Sequence, residues 1–221
     1  MGGAVDLGKI FGVNVRIEVT VLLLAAFIVV GDFGRNGMSG LLDAVTFAIL
    51  FIFCIYLHEM GHAFAGNLFG ARTLDVTLTF FGGYARLVGI PRGWFANAAI
   101  SFGGPATNLL IAAVLYWYAG TQEVPSDLIN RLAFANLFLG IFNLLPGYPL
   151  DGGHIAAAVL SNFMPASRAR VITGYIGVGV GILLIVLGLQ GGMGGMFTML
   201  IGLMLIMAAS QEIQTNSRGR F

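Results

Sequence analysis

Two histidines and a glutamate in the segment Ile55–Ala65 have the types and spacing of a metal site. His58 and His62 are four residues apart, so on a helix both imidazoles point to the same face and can hold one metal ion. Glu59 follows the first histidine and is close enough to act as a base on a metal-held water without being a ligand itself. The alternative is a chance match, in which the histidines cap or pack inside a helix.

The composition predicts an integral membrane protein with helical spans. The 221 residues are 57% hydrophobic and 10% charged, and the mean hydropathy is +0.90, whereas a soluble domain carries about 25% charged residues. The histidine pattern lies within an apolar run. Ionisable groups are costly in such a segment, so their presence indicates a function. Cys54 is the only cysteine, which excludes a cysteine-based metal cluster. The sequence has no run of basic residues, so a nucleic-acid partner is not predicted.

A third metal ligand is expected from another segment, because zinc hydrolases commonly use three protein ligands and keep one position for water. The candidates are Asp151 and His154, in the segment Pro146–His154, whose two prolines and three glycines predict irregular backbone. Asp151 is the favoured ligand. Its alternative role is an N-cap of the short helix predicted over Ile155–Phe163.

Six apolar segments predict an all-α polytopic membrane protein that forms a single domain over residues 1–221. The predicted transmembrane helices cover approximately residues 19–30, 41–69, 96–119, 128–145, 171–189 and 196–209.

Two further segments alternate with period two. Val13–Val19 predicts a short strand at the interface, and Leu74–Ile90, with its turn at Gly82-Gly83, predicts a strand-like or re-entrant hairpin near the metal site. Such a hairpin could offer a strand edge to an extended peptide. The alternative is a simple connecting loop.

The distribution of lysine and arginine predicts a cell-membrane protein with both termini in the cytoplasm. With six spans, nine of these residues share the side of the termini, and the other two are Arg35 and Arg131. The nine are Lys9, Arg16, Arg72, Arg86, Arg92, Arg168, Arg170, Arg218 and Arg220. This orientation brings Asp151 to the same depth as the two histidines, which supports one shared site.

Three motifs of this chain carry its polar residues: His58-Glu-Met-Gly-His62, Gly103-Gly-Pro-Ala-Thr-Asn108 and Asn143-Leu-Leu-Pro-Gly-Tyr-Pro-Leu-Asp151-Gly-Gly. They resemble those of the site-2 protease family of intramembrane zinc metalloproteases, and the plan is similar to its compact microbial six-span members. The resemblance implies that His58, His62 and Asp151 bind one zinc ion per chain. It also implies that Glu59 is the catalytic base and that Asn143 helps to hold the substrate or the transition state.

The resemblance further implies a substrate: the transmembrane helix of a membrane-anchored regulator, such as an anti-sigma factor or a membrane-bound transcription factor. A helix hides its carbonyls in i to i+4 bonds, so it must unwind locally before it is cut. The segment Thr73–Leu87 is expected to hold the unwound stretch. Asn108 is expected either to bond between spans or to contact the substrate.

Two departures from the family pattern concern regulation. Family members often have Arg after Asp-Gly-Gly, where this chain has His154, which leaves a regulatory or auxiliary metal role for His154. Many members carry a PDZ or CBS domain, and neither fits in this chain, so gating is expected from the membrane part or from a regulatory membrane partner. The competing prediction is a metal-binding membrane transporter or sensor without proteolysis, although the inverted half-repeats of many transporters are lacking.

Overall fold

The structure is a computed structural model that describes residues 3–10, 12–80, 82–124 and 126–218. The helices are α1 Thr20–Asn36, α2 Leu41–Leu68, α3 Trp94–Gly120, α4 Asp127–Asn143, α5 Asp151–Leu160, α6 Ala166–Gln190 and α7 Gly192–Arg218. The strands are β1 Ala4–Ile10, β2 Val13–Glu18, β3 Arg72–Thr79 and β4 Gly82–Val88.

Four helices are long and apolar enough to cross a membrane, namely α2, α3, α6 and the Gly195–Ser217 part of α7. All six predicted spans fall on helices, but α1 has only a shorter apolar stretch, Thr20–Gly31, and α4 has 17 residues. At 1.5 Å per residue such helices fall short of a hydrocarbon core of about 30 Å. Length and composition therefore support a mostly helical protein with four spans in the described part of the chain.

The chain divides into two compact units, and the first comprises Met1–Ile90 and Gly103–Gly140. It contains a four-stranded sheet in the order β1-β2-β3-β4, in which β2 and β3 run parallel and the outer pairs are antiparallel. The predicted strand over Val13–Val19 corresponds to β2, and the predicted hairpin to β3 and β4. Strand β1 was not predicted, because a register shift between Asp6 and Gly8 breaks its period of two.

The core of the first unit fixes the turn of α2 that comes before the histidines. Apolar side chains of β2, α1, α2 and β3 form one buried cluster. Its members are Val13, Val15, Val21, Leu24, Ile55, Tyr56, Val76 and Leu78. Because Ile55 and Tyr56 are held in this cluster, the next turn of α2, which carries His58, has a fixed direction.

The second unit comprises Pro91–Phe102 and Ile141–Phe221 and contains α5, α6 and α7. Helix α5 begins at Asp151, four residues before the predicted start at Ile155. The N-cap is Leu150, so Asp151 is the first helical residue and the alternative role of N-cap is wrong. The glycine after it allows this early start, because a Cβ on Gly152 would lie 2.2 Å from the carbonyl oxygen of Leu144.

Helices α6 and α7 pack closely along two matching rows of small residues, each with a spacing of seven. The rows are Gly174, Gly181 and Gly188 on α6, and Ala209, Gly202 and Gly195 on α7. A Cβ on Gly181 would lie 2.6 Å from the carbonyl oxygen of Gly202, and a Cβ on Gly188 would lie 2.6 Å from that of Gly195. Small residues of this kind let membrane helices approach through their backbones.

Candidate metal centre

The two imidazoles of α2 lie at the separation that one zinc ion requires. The Nε2 atoms of His58 and His62 are 3.2 Å apart, and the rings stand edge to face. Two nitrogens that bind the same tetrahedral zinc at 2.0–2.1 Å are about 3.3 Å from each other. The described histidine pair therefore fits a zinc ion through its Nε2 atoms.

Glycines keep the space beside these nitrogens open. Helices α2 and α3 approach at Gly61 and Gly103, where a Cβ on Gly61 would lie 2.4 Å from the Gly103 carbonyl oxygen. A Cβ on Gly104 would lie 2.3 Å from Nε2 of His62 and 2.6 Å from Nε2 of His58. Any larger residue at position 104 would occupy the place of a metal ion.

A chain of buried hydrogen bonds holds His58 in the tautomer that a metal needs. The Asn136 amide nitrogen donates to the Leu132 carbonyl at 2.8 Å, so its side-chain oxygen accepts from the Asn108 amide nitrogen, also at 2.8 Å. The Asn108 oxygen is then left to accept from Nδ1 of His58. With its proton on Nδ1, the ring presents Nε2 as the free electron pair for a metal.

His62 is oriented differently, by the backbone of α3. The Gly104 N–H donates to Nδ1 of His62 at 3.3 Å. A metal bound at Nε2 requires the ring proton on Nδ1, so this contact has to be given up on metal binding. His62 is therefore less firmly held in the metal-binding tautomer than His58.

Glu59 is buried in the first unit and lies against the sheet. Only 6% of the residue is exposed, and a Cβ on Gly83 would lie 2.6 Å from the Glu59 Cγ. Gly83 belongs to β4, which pairs with β3 and is an edge strand of the four-stranded sheet. The edge strand thus passes directly beside the predicted catalytic base.

The remaining predicted site residues belong to the second unit. Asn143 is the last residue of α4, Asp151 is the first residue of α5, and His154 follows one turn later. The His154 ring packs against Tyr148, with ring centroids 4.7 Å apart. Asn136, in the first unit, takes part in the hydrogen-bond chain that ends at His58, and the spacing of the sequence shows no chemical partner for it.

Comparisons with known proteins agree with this chemistry. The model of peptidase family M50 matches residues 46–124 and 120–187. The chain is 28% identical over 218 residues to zinc metalloprotease MJ0392 of Methanocaldococcus jannaschii, over 96% of this chain and 61% of that protein. It is 34% identical over 232 residues to Rip3 of Mycobacterium tuberculosis, over 96% of this chain and 59% of that protein.

A solved structure has a similar fold over the same extent. The site-2 protease from Methanocaldococcus jannaschii aligns with a TM-score of 0.74 and 26% identity, over 96% of this chain and 95% of that chain. The chain spans about six tenths of the length of the curated relatives it matches.

Proposed function

This chain belongs to peptidase family M50, the family of the site-2 proteases, and from that membership we propose that it is an intramembrane zinc metalloprotease. Its substrates are transmembrane helices of membrane-anchored regulatory proteins, such as anti-sigma factors or membrane-bound transcription factors, which it cuts within or near the bilayer. The observation that carries the proposal is the pair of imidazole nitrogens 3.2 Å apart in an apolar helix of membrane-spanning length. Polar metal-binding groups are costly in such a helix without a function.

The proposed zinc ligands are His58, His62 and Asp151. Two imidazoles and one carboxylate form a ligand set typical of catalytic zinc, which leaves a fourth position for water or substrate. The family motifs that end in Asp151-Gly-Gly support the carboxylate rather than His154 as the third ligand. His154 keeps the auxiliary role that its unusual place after the two glycines suggests.

The chain's own residues divide the chemistry of peptide hydrolysis among them. Bound zinc supplies a Lewis acid that makes water nucleophilic near neutral pH and polarises the scissile carbonyl. Glu59 takes the proton of the attacking water and delivers it to the leaving amine. Asn143 donates a hydrogen bond to the carbonyl oxygen as negative charge develops there.

Strand β4 is the proposed holder of the unwound substrate. A transmembrane helix that has been opened exposes backbone N–H and C=O groups, which are costly in lipid until they are paired. An edge strand offers such pairing, and β4 begins where Gly83 packs against Glu59. If the unwound substrate pairs with β4 as an added strand, its scissile bond would lie beside Glu59.

The protein is a multi-pass membrane protein, and the proposed topology has six spans with both termini in the cytoplasm. Helices α1 and α4 supply the two spans beyond the four that are long enough on their own. The excess of lysine and arginine on the side of the termini supports this orientation.

The test is cleavage by the purified chain after reconstitution with zinc and a membrane substrate whose transmembrane helix contains helix-breaking residues. Glu59→Gln keeps the shape of the side chain and removes the base, so we expect cleavage to fall by about 10²-fold or more while the zinc content is unchanged. Glu123→Gln, at an exposed position, is the matched control and is expected to cleave normally. Asp151→Asn is expected to lower the zinc content as well as the activity.

Each outcome has a separate meaning. Equal cleavage by the wild type and Glu59→Gln would remove Glu59 as the base. Full zinc content in Asp151→Asn, measured by elemental analysis, would remove Asp151 as a ligand. Zinc flux across vesicles without any cleavage would favour a carrier instead of a protease.

A further inference from the structure

The second unit contains a cavity of about 450 Å³ whose lining includes neither Glu59 nor any of the proposed zinc ligands. It lies along α5 and at the beginnings of α3 and α6. Its polar lining residues are Arg92, Asn97, His154, Ser161, Asn162 and Arg170, together with Ser101 and Tyr148. Cavities that bind small molecules have volumes of about 300–1,000 Å³, so this one is large enough for a ligand.

The lining is cationic. Arg92 and Arg170 are its charged members, and no carboxylate is among the described residues that line it. Arg170 is paired with Glu212, at 3.2 Å, and the Asn216 amide also donates to Glu212. That pair fixes the Arg170 guanidinium but offsets its charge, so Arg92 gives the cavity its net positive charge.

The backbone on both sides of Arg92 is held in place by hydrogen bonds. The Asn97 amide nitrogen donates to the carbonyl oxygens on both sides of Arg92, at 3.2 Å for Pro91 and 2.7 Å for Gly93. These two bonds fix the loop that presents Arg92. Among the described residues, Arg92 makes no ion pair.

The helix ends around the cavity add to the preference for an anion. Helix α3 begins at Trp94 and α6 begins at Ala166, and both residues line the cavity. The N-terminus of α6 has no side-chain cap. Uncapped backbone N–H groups at a helix N-terminus favour negative charge, in the same direction as the arginine.

The other lining residues indicate where the anion comes from. Trp94, which is 42% exposed, and the side chains of Ala157 and Ala158 give the wall an apolar part. Helices α3 and α6 are both of membrane-spanning length, so their first residues lie where lipid headgroups are found. Tryptophan is enriched at this level of the bilayer.

We propose that this cavity binds the phosphate of an anionic lipid headgroup, with Arg92 as its principal contact. The guanidinium of Arg92 makes charge-assisted hydrogen bonds to phosphate oxygens. The indole of Trp94 covers the glycerol part of the lipid. This inference does not rest on the proposed protease activity, because its test measures binding alone.

The experiment follows the fluorescence of Trp94 in the purified full chain. Trp117→Phe leaves Trp94 as the sole tryptophan, and the protein in neutral detergent is titrated with dihexanoyl-phosphatidylglycerol, dihexanoyl-phosphatidylcholine or inorganic phosphate. We expect saturable binding of phosphatidylglycerol that Arg92→Gln weakens by about tenfold or more. Arg168→Gln removes the same charge from an exposed position two residues from Arg170 and outside the cavity, and it is expected to leave the binding within about twofold of the wild type.

Thermal unfolding without ligand shows whether each variant is folded, and native mass spectrometry counts the bound lipids. Equal loss of binding in Arg92→Gln and Arg168→Gln would overturn the proposal, since it would mean attraction to the general surface charge. Binding of phosphatidylcholine as strong as that of phosphatidylglycerol would also overturn it. Saturable binding of free phosphate that depends on Arg92 would support the anion site and assign a soluble phosphate as the source.

Discussion

Asn108 shows how much a single buried amide can decide in this protein. It lies between His58 and Asn136, is completely buried, and uses both ends of its amide in hydrogen bonds. The direction of those bonds is set by the Leu132 carbonyl, since a carbonyl can only accept. We therefore propose that Asn108 is a positioning residue that would act on a metal through His58.

We expect Asn108→Ala to weaken zinc binding by about 10–100-fold, because loss of the hydrogen-bond partner of a ligating histidine has an effect of this size. Asn108→Asp keeps an oxygen acceptor for Nδ1 of His58 but loses the donor to Asn136, so it should restore only part of the zinc affinity. Competition with a chromophoric chelator measures both affinities. Wild-type zinc affinity in Asn108→Ala would show that the residue serves only to pack the helices.

At the scale of elements, Asp75 ties three strands of the sheet together. This residue is buried on β3. It accepts hydrogen bonds from Nε of Arg86 on β4, at 2.7 Å, and from Nη2 of the same residue. Its carboxylate is also 3.6 Å from the guanidinium of Arg16 on β2. The hydrogen bonds from Arg86, and then the charges of Arg86 and Arg16, hold the pKa of Asp75 below its usual range although burial opposes this. Since β4 runs past Glu59, the Asp75 carboxylate helps to hold the strand beside Glu59.

Asp75→Asn should lower the stability of the protein at neutral pH by roughly 1–3 kcal/mol, the usual value for hydrogen bonds to a charged group. The lowered pKa means that the carboxylate contributes above its unfolded pKa of about 3.9 and that this contribution is lost as the pH falls through the lower folded value. The wild type and Asp75→Asn should therefore converge in acid. Thermal unfolding in detergent at several pH values checks this, with Glu123→Gln, at an exposed position outside the helices, as the control. A difference that persists unchanged below the folded pKa would contradict the role of the charge.

The packing of α6 on α7 gives a second prediction at this scale. A Cβ on Gly202 would lie 2.5 Å from the Gly181 carbonyl oxygen, whereas a Cβ on Gly179 would meet nothing within 4 Å. We expect Gly202→Ala to destabilise the helix pair by about 1–3 kcal/mol. Gly179→Ala should be neutral or stabilising, because alanine is the better helix former. Unfolding by titrated dodecyl sulfate distinguishes the two, and equal stability of both variants would show that the rows of small residues do not set the helix separation.

These elements also show what the sequence could and could not predict. The facing of His58 and His62 follows from helical spacing alone, and the β3–β4 hairpin follows from period two and its glycine turn. The role of Asn136 depends on the rotation of α4 about its axis, which no local pattern specifies. The parallel pairing of β2 with β3 joins segments separated by two helices, and the early start of α5 depends on a contact between Gly152 and the Leu144 carbonyl. In each of these cases, the contact that decides the structure joins residues that are not neighbours in the sequence.

For the whole molecule, the proposed membrane topology predicts which positions are accessible from each side of the bilayer. Cys54 is buried and is the only cysteine, so Cys54→Ala provides a background without reactive thiols. Single cysteines at the exposed positions Gly3 and Ser217 should react with an impermeant maleimide only from the cytoplasmic side. A cysteine at exposed Ser126, between α3 and α4, should react only from the opposite side. Labelling of position 126 from the same side as the termini would exclude six spans.

The parallel pairing of β2 with β3 has a consequence for biosynthesis. Residues 14–17 of β2 pair with residues 75–78 of β3. Strand β2 therefore has no partner on that side until both intervening helices have left the ribosome. One edge of the nascent hairpin of β1 and β2 therefore stays unpaired at the membrane surface. An unpaired strand edge can pair with other chains. We expect a bulky fusion placed before β1 to reduce the yield of folded protein more than the same fusion placed after α7, although neither fusion changes a proposed metal ligand.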